Sequence, residues 1–353
     1  MSTAWFSTAL LPWYREHHRS LPWRETRDPY RIWLSEVILQ QTRVDQGLAY
    51  WLRFVERYPT VAHLAKAPED AVLKLWQGLG YYSRARNLLT AARQVVTEHG
   101  GSFPVTYSEL RGLKGVGDYT AAAIGSIAFA LVEPVVDGNV YRVLARVFGI
   151  ATPIDSTEGR KEFRALAATL IDPKHPGDHN QAVMELGATI CLPRNPRCGD
   201  CPIASRCIAR ATGRITQLPV KAGKTTVRVR HFNYLHIRTA KGTFLQKRTG
   251  KDIWQGLYEF PLIETERPAS KRMLSTALEE TAPGGWSVEK RSEKVVHLLS
   301  HQRIETIFWE VVPSKSVHPP KSWVLVTDKK LAGHAVPRLI DRYMAGEYKT
   351  KKA

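Results

Sequence analysis

At 353 residues the chain exceeds the usual single-domain size, and a 43% hydrophobic content with ten tryptophans excludes a disordered protein. A formal net charge of +18 suits a polyanionic partner, and nucleic acid is the commonest reason to maintain such a field. No apolar run approaches the roughly 20 residues of a membrane-spanning helix, and no basic-then-apolar leader opens the chain, so a soluble protein without membrane contact is expected.

In chain order, helical periodicity predicts one long amphipathic element from Tyr30 to Tyr58, with Ile32, Trp33, Val37, Ile38 and Leu39 at helical spacing. Similar stretches follow at Pro68 to Trp76, Tyr81 to Glu98, Tyr119 to Ala130, Val140 to Phe148, Gly159 to Ile171 and His179 to Ile190. Short breaks separate them, among them Gly78-Leu79-Gly80, Gly100-Gly101 and Gly115-Val116-Gly117. An all-α domain over residues 1–212 is therefore expected. Residues 213–226 are polar and read as a linker. A mixed α+β domain is expected over 227–345, with strands at Val227 to Arg238, Thr243 to Lys247, Lys294 to Ser300, Arg303 to Val312 and Ser322 to Val326. One helix near Lys271 to Thr281 interrupts those strands, and 346–353 reads as a frayed basic tail.

All four cysteines fall within residues 191–207, as Cys191, Cys198, Cys201 and Cys207. A disulfide framework would spread its cysteines through the chain. Thiolates clustered in one loop favour a soft metal, either as a tetrahedral site or as an iron–sulfur cube. The single Cys-x2-Cys pair suits the cube better than zinc, which usually takes two such pairs. Elsewhere, Lys114, Gly115 and Gly117 form a turn between two helical stretches, and its backbone N–H groups can grip a phosphate without reading sequence. Glu36 borders an apolar face that would raise its pKa, as an acid catalyst requires, and Asp137 stands where a loop enters a helix.

Leu113-Lys114-Gly115-Val116-Gly117, then Asp137, then the cysteine loop together resemble the helix-hairpin-helix DNA glycosylases of the endonuclease III superfamily. The blocks Leu21-Pro22-Trp23-Arg24, Ser35-Glu36-Val37, Gln40-Gln41-Thr42 and Gly78-Leu79-Gly80-Tyr81-Tyr82-Ser83-Arg84 resemble its adenine DNA glycosylase (MutY) branch. The resemblance implies one [4Fe–4S] cluster and a double-stranded DNA partner carrying adenine opposite 8-oxoguanine or guanine. It also implies a monomer that flips out the adenine, cleaves its glycosidic bond and works on chromosomal DNA in a bacterial cytoplasm. Glu36 would protonate the adenine and activate water, Asp137 would stabilise the sugar cation, Asn139 would orient Asp137, and Tyr119 would hydrogen-bond near Glu36. Lyase-active relatives carry lysine at the position of Tyr119, so an intact abasic product is implied. Gln41, Thr42, Leu79 and Tyr81 would meet the duplex at 8-oxoguanine, and Trp23, Arg24 and Glu185 would line the adenine pocket.

Asp252 to Pro261 resembles part of the family's Nudix-like domain. Its predicted helix has Glu279-Glu280 but lacks the spaced glutamates of a metal-binding Nudix box, so no pyrophosphohydrolase activity is expected. Where the family's 8-oxoguanine loop reads Phe-Ser-His, this chain has Leu299-Ser300-His301, keeping the hydroxyl of Ser300 and the imidazole of His301.

Overall fold

The computed structural model describes residues 3–223, 226–314 and 317–352. Met1 and Ser2, Lys224 and Thr225 of the expected linker, Lys315 and Ser316, and Ala353 of the expected tail lie outside the described residues. In chain order the helices are α1 Ala4–His17, α2 Pro29–Leu39, α3 Val44–Arg57, α4 Val61–Ala65, α5 Glu69–Trp76, α6 Ser83–Glu98, α7 Tyr107–Gly112 and α8 Asp118–Phe129. They continue as α9 Gly138–Phe148, α10 Thr157–Leu170, α11 Pro176–Thr189, α12 Ile208–Ala211, α13 Lys271–Thr281, α14 Asp328–Leu331 and α15 Arg338–Met344. The strands are β1 Arg228–Thr239, β2 Gly242–Lys247, β3 Tyr258–Glu259, β4 Leu262–Thr265, β5 Trp286–Ser292, β6 Val295–Leu298, β7 Gln302–Pro313, β8 Trp323–Val326 and β9 Thr350–Lys352.

The chain divides into two compact units, Met1–Lys66 with Asn87–Gly223, and Ala67–Arg86 with Lys224–Ala353. The first is helical. Phe6, Leu10 and Tyr14 of α1 are buried with Val143 and Leu144 of α9, Phe163 of α10 and Leu186 of α11. Helix α8 is apolar on every side and sits inside the unit, with Ala121 to Ile127 all buried. Glycine lets α11 come close to its neighbours. A Cβ on Gly177 would lie 2.8 Å from the Ser126 carbonyl oxygen, and one on Gly187 would lie 2.6 Å from the Asn139 Cβ. Gly187→Ala is therefore expected to push Asn139 aside while leaving helix content unchanged by circular dichroism.

Two expectations for this unit need correction. The stretch from Tyr30 to Tyr58 is two helices, α2 and α3, because Gln41 adopts a left-handed φ of +55° and breaks the run. The polar composition of 213–226 also misleads, since most of the segment docks on the helices. Leu218 is buried in the core, Ile215 and Val220 pack against it, and Ile154 N–H donates to the Val220 carbonyl at 3.0 Å. Asp155 accepts from the Ala222 and Gly223 amides at 2.9 and 3.0 Å. Three apolar residues in a polar stretch are enough to seat it.

The second unit is built on one sheet with the path β3-β2-β1-β7-β5-β9; β4 pairs with β1, β6 with β7 and β8 with β2. The long central strands β1 and β7 run parallel. Leu274 and Leu278 of α13 close one face over Leu235, Ile237, Trp309 and Val311. The expected tail is not frayed. β9 pairs antiparallel with β5, placing Lys352 opposite Lys290 and Lys351 opposite Arg291. Like charges across the strands oppose this pairing, so backbone hydrogen bonds to the open edge of β5 must supply it. Tyr348 anchors the approach by stacking 5.9 Å from Phe308. The segment 67–86, expected within the helical domain, groups with the sheet because Lys74 Nζ donates to the His334 carbonyl and Lys247 pairs with Asp70 at 2.6 Å.

Candidate active site

In the helical unit a cavity with about 790 Å³ of empty space, open to solvent, is walled by α2, α8, α9, α11 and the turn at Pro22–Arg24. Glu36 reaches it from the buried face of α2. Helix α2 starts cleanly because Asp28 caps the Tyr30 amide and Pro29 occupies its first turn. Tyr119, in the first turn of α8, donates its hydroxyl to Glu36 Oε2 at 2.6 Å. Burial raises the Glu36 pKa to about 7, and the nearby Asp137 charge adds to this, although the Tyr119 hydrogen bond pulls the other way. Burial and both carboxylates hold the Tyr119 hydroxyl far above its ordinary value, so it stays a donor.

Asp137 is the N-cap of α9. Its Oδ1 accepts from the Asn139 and Val140 amides at 2.8 and 2.7 Å, and its Oδ2 accepts from the Asn139 side chain at 2.8 Å. Burial still leaves its pKa raised, with these donors opposing the shift. Arg142, which sequence reading did not single out, ties Asn139 down: its Nη2 donates to Asn139 Oδ1 and to the Gly187 carbonyl, both at 2.8 Å, and its Nε donates to the Cys191 carbonyl at 2.7 Å. One guanidinium thus links the residue beside Asp137 to the start of the cysteine loop.

Trp23, Arg24 and Glu185 line the same cavity, and Trp23 packs edge-on against Trp51 at 5.6 Å. Glu185 has a fully buried side chain bonded to two guanidinium groups, Arg24 Nη2 at 2.7 Å and Arg19 Nε and Nη2, both at 2.7 Å. Burial alone would raise its pKa, but Arg19 and Arg24 overcome that and bring it to about 2. Arg19 was missed from sequence; only the fold brings it to a carboxylate 166 positions away. Thr42 also lines the cavity, whereas Gln41 does not and is exposed at its left-handed turn.

The turn between α7 and α8 carries Lys114, Gly115 and Gly117. Gly115 takes a φ of +77°, and a Cβ there would lie 2.7 Å from the Asn87 Cβ. Gly117 is an extended N-cap with open space before it, so its conformation alone does not demand glycine. Lys114 N–H is taken by Gln94 Oε1 at 2.7 Å. The Gly115 and Gly117 amides stay available at the mouth of α8, among the described residues.

In the second unit, Leu79 is buried and Tyr81 is exposed, with a left-handed φ of +46°. The Tyr81 hydroxyl hydrogen-bonds the Ser300 hydroxyl. Ser300 and His301 lie in the three-residue connection between β6 and β7, and both are exposed. Two residues singled out for the same task by unrelated motifs therefore touch. Glu279 accepts from the Gly284 and Gly285 amides at 2.9 and 3.2 Å, which gives this glutamate a loop-holding part.

The four cysteines, none in a disulfide, line a mainly apolar hollow of about 400 Å³ with Val143, Val147, Leu186 and Ile190. Arg146 Nη1 approaches Cys191 Sγ at 3.4 Å. Among the described residues no three such side chains converge as a single-ion site would require. Four soft sulfur donors in one lining suit a soft metal group.

Three family models match the chain: HhH-GPD superfamily base excision DNA repair protein over residues 34–169, iron-sulfur binding domain of endonuclease III over 191–207, and NUDIX domain over 233–346. Adenine DNA glycosylase of Buchnera aphidicola subsp. Baizongia pistaciae is 36% identical over 265 residues, covering 74% of each chain. The chain belongs to the adenine DNA glycosylase family. Adenine DNA glycosylase of Mus musculus is 41% identical over 284 residues, 78% of this chain and 54% of that one, so this chain spans about half the length of its mouse relative. The human relative is 48% identical over 58% of this chain and 39% of its own length.

Among solved structures, a thermostable thymine-DNA glycosylase aligns with a TM-score of 0.55 and 31% identity over 59% of this chain and 95% of its own. An endonuclease III–DNA complex aligns at 0.52 with 22% identity over 60% and 95%, which shows the fold. The architecture is thus a helix-hairpin-helix glycosylase unit followed by a Nudix-like α+β unit. Given the match over 191–207 and the geometry of the hollow, an iron–sulfur cluster is the group that Cys191, Cys198, Cys201 and Cys207 fit. Among the described residues no helix is long and apolar enough to cross a membrane. Replacing Cys198 with serine is expected to remove the visible iron–sulfur absorption and lower the melting temperature, read by absorbance and thermal unfolding.

Proposed function

We propose that this chain is a monofunctional DNA glycosylase that removes adenine mispaired with 8-oxoguanine, or less favourably with guanine, and leaves an intact abasic site. The observation that carries the reading is a buried carboxyl, Glu36, with a pKa near 7 and a tyrosine donor at 2.6 Å, sharing one cavity with a second, capped carboxylate. Two carboxyls with separated environments divide acid and charge-stabilising tasks, as in glycoside hydrolysis. The adenine must leave the stack to reach such a cavity. Glu36 delivers its proton to a ring nitrogen, so the base departs neutral rather than as an anion. Asp137 faces the positive charge that develops on the sugar, and the Glu36 carboxylate then takes a proton from the attacking water. Trp23, Arg24 and Glu185 wall the base.

Tyr119 supplies no amine, so no Schiff base forms at the sugar. The amides of Gly115 and Gly117 and the charge of Lys114 grip a backbone phosphate. Gln41 and Tyr81 fill the gap left by the flipped base, while Thr42, Leu79, Ser300 and His301 meet the opposite 8-oxoguanine. Cys191, Cys198, Cys201 and Cys207 would hold a [4Fe–4S] cluster, which would cross-link the 191–207 loop, and the loop's Arg194, Arg197, Arg206 and Arg210 would then lie against the duplex. The protein acts as a monomer on double-stranded DNA, and its Nudix-like unit hydrolyses no pyrophosphate.

The deciding experiment incubates the protein with duplex containing adenine opposite 8-oxoguanine and develops half the sample with alkali. Strand breaks are expected only after alkali. Breaks without alkali, or efficient borohydride trapping of a protein–DNA adduct, would contradict the monofunctional reading. Ser300→Ala is expected to weaken the preference for 8-oxoguanine over guanine by about tenfold, the size of one lost hydrogen bond to a polar base edge. Equal preference in variant and parent, measured under single-turnover conditions, would remove Ser300 from the recognition set.

A further inference from the structure

Tyr119 also lines a second groove, of about 730 Å³, that the proposed chemistry does not use. Its floor includes Pro134 and Val136, in the segment that leads into Asp137. Tyr141 enters from α9, held edge-on against Phe163 at 5.1 Å. The first two turns of α10 supply Thr157, Arg160, Lys161 and Arg164. Arg164 is steadied by the Tyr107 hydroxyl at 3.1 Å and by Glu133 at 3.5 Å. Asp118 is the one carboxylate in the lining, and it is occupied by the Tyr107 hydroxyl at 3.0 Å and by Arg111. The side chains of Arg160 and Lys161 are exposed and make no hydrogen bond or ion pair among the described residues, and the Tyr141 and Thr157 hydroxyls likewise have no partner among them.

The groove therefore presents two free cations, a third held in place, and two hydroxyl donors, with its only carboxylate already neutralised. That is the complement of an anion with several acceptor oxygens. Its position narrows the choice. Tyr119 stands in the wall of both spaces, so the backbone of a nucleotide whose base occupies the cavity has this groove beside it. We infer that this groove is a phosphodiester subsite that holds the target strand next to the flipped nucleotide, separate from the grip of the Gly115–Gly117 turn. The inference rests on the DNA-glycosylase reading above.

The test uses the cluster-loaded full chain in a Glu36→Gln background, which binds without cutting, and a labelled duplex with adenine opposite 8-oxoguanine. Adding Arg160→Ala and Lys161→Ala is expected to weaken binding about tenfold at low salt and to reduce the slope of log K against log salt by about 0.9, the amount for one phosphate contact. Arg160→Lys with Lys161 intact should keep the parent slope. Ethylation interference locates the contact: ethylating one phosphate beside the target adenosine should impair binding to the parent and make no difference to the double variant. An unchanged salt slope, or the same ethylation pattern in parent and double variant, overturns the subsite. If the Glu36→Gln parent shows no preference for mispaired over fully paired duplex, the glycosylase reading itself fails, and the subsite falls with it.

Discussion

Glu36→Gln is expected to abolish abasic-site formation and, above pH 7, to make the protein harder to unfold. On the proposed mechanism the variant keeps the shape of the cavity but has no proton to give, so single-turnover cleavage should fall by at least the 10²–10⁴-fold typical of lost general acid catalysis. The stability change follows from the same carboxyl. Its folded pKa of about 7 lies above the ordinary 4.5, so between those values the folded protein holds more protons than the unfolded chain. Stability contributed by this group is therefore complete below about 4.5 and is lost as pH rises through 7. Above that, folding must bury a charge, at a cost on the order of 3 kcal/mol. Glutamine stays neutral and avoids it. Thermal melts at pH 5 and pH 8 check the sign: the variant should gain several degrees over the parent at 8 and little at 5. Equal differences at both pH values would mean that Glu36 does not hold its proton in the folded protein.

On the same mechanism the parent's cleavage step should carry a matching signature. The acid form of Glu36 is depleted as pH rises through about 7, so the single-turnover rate should decline above that point. Tyr119→Phe removes the donor that favours the charged form, and should move that decline to higher pH. A profile that stays in place would assign the titration to another group.

How much of this was legible in the sequence varies with the range of the interaction. Helical periodicity is local, so the stretches that became α8 through α11 could be read, and the cysteine spacing marked its loop. Motifs named Glu36, Tyr119, Asp137, Asn139, Trp23, Arg24 and Glu185, and these residues share one cavity or contact one another there. The failures are of another kind. Nothing apolar changes at Gln41, where a single left-handed residue splits α2 from α3. Composition marked 213–226 as a tether, but burial of Leu218 decides where that segment lies. The final lysines look frayed until the open edge of β5 is known. Arg19 and Arg142 escaped because each acts on a partner that only the fold brings near.

Glu185→Gln is expected to cost about 3–5 kcal/mol at neutral pH, the usual penalty for removing one member of a buried ion cluster. The variant leaves Arg24, whose side chain is 10% exposed, without its countercharge, while Arg19 at 39% can turn to water. The pH dependence has the opposite sign to that of Glu36. With a folded pKa of about 2 against an ordinary 4.5, the unfolded chain binds more protons in that window. The contribution of Glu185 is present in full above 4.5 and is lost as pH falls toward 2, so the gap between parent and variant should close in acid. Removing the stranded cation as well, in Glu185→Gln with Arg24→Met, should recover part of the loss, and urea unfolding of the four proteins gives the coupling directly. An additive double variant would mean the pair is not a unit. Glu36 and Glu185 line the same cavity, and for both burial is the largest influence, raising the pKa. Two guanidinium groups fix one as an anion, while one phenol leaves the other close to neutrality. On the proposed mechanism, that difference in partners is what allows one carboxyl to build the wall while the other carries the proton.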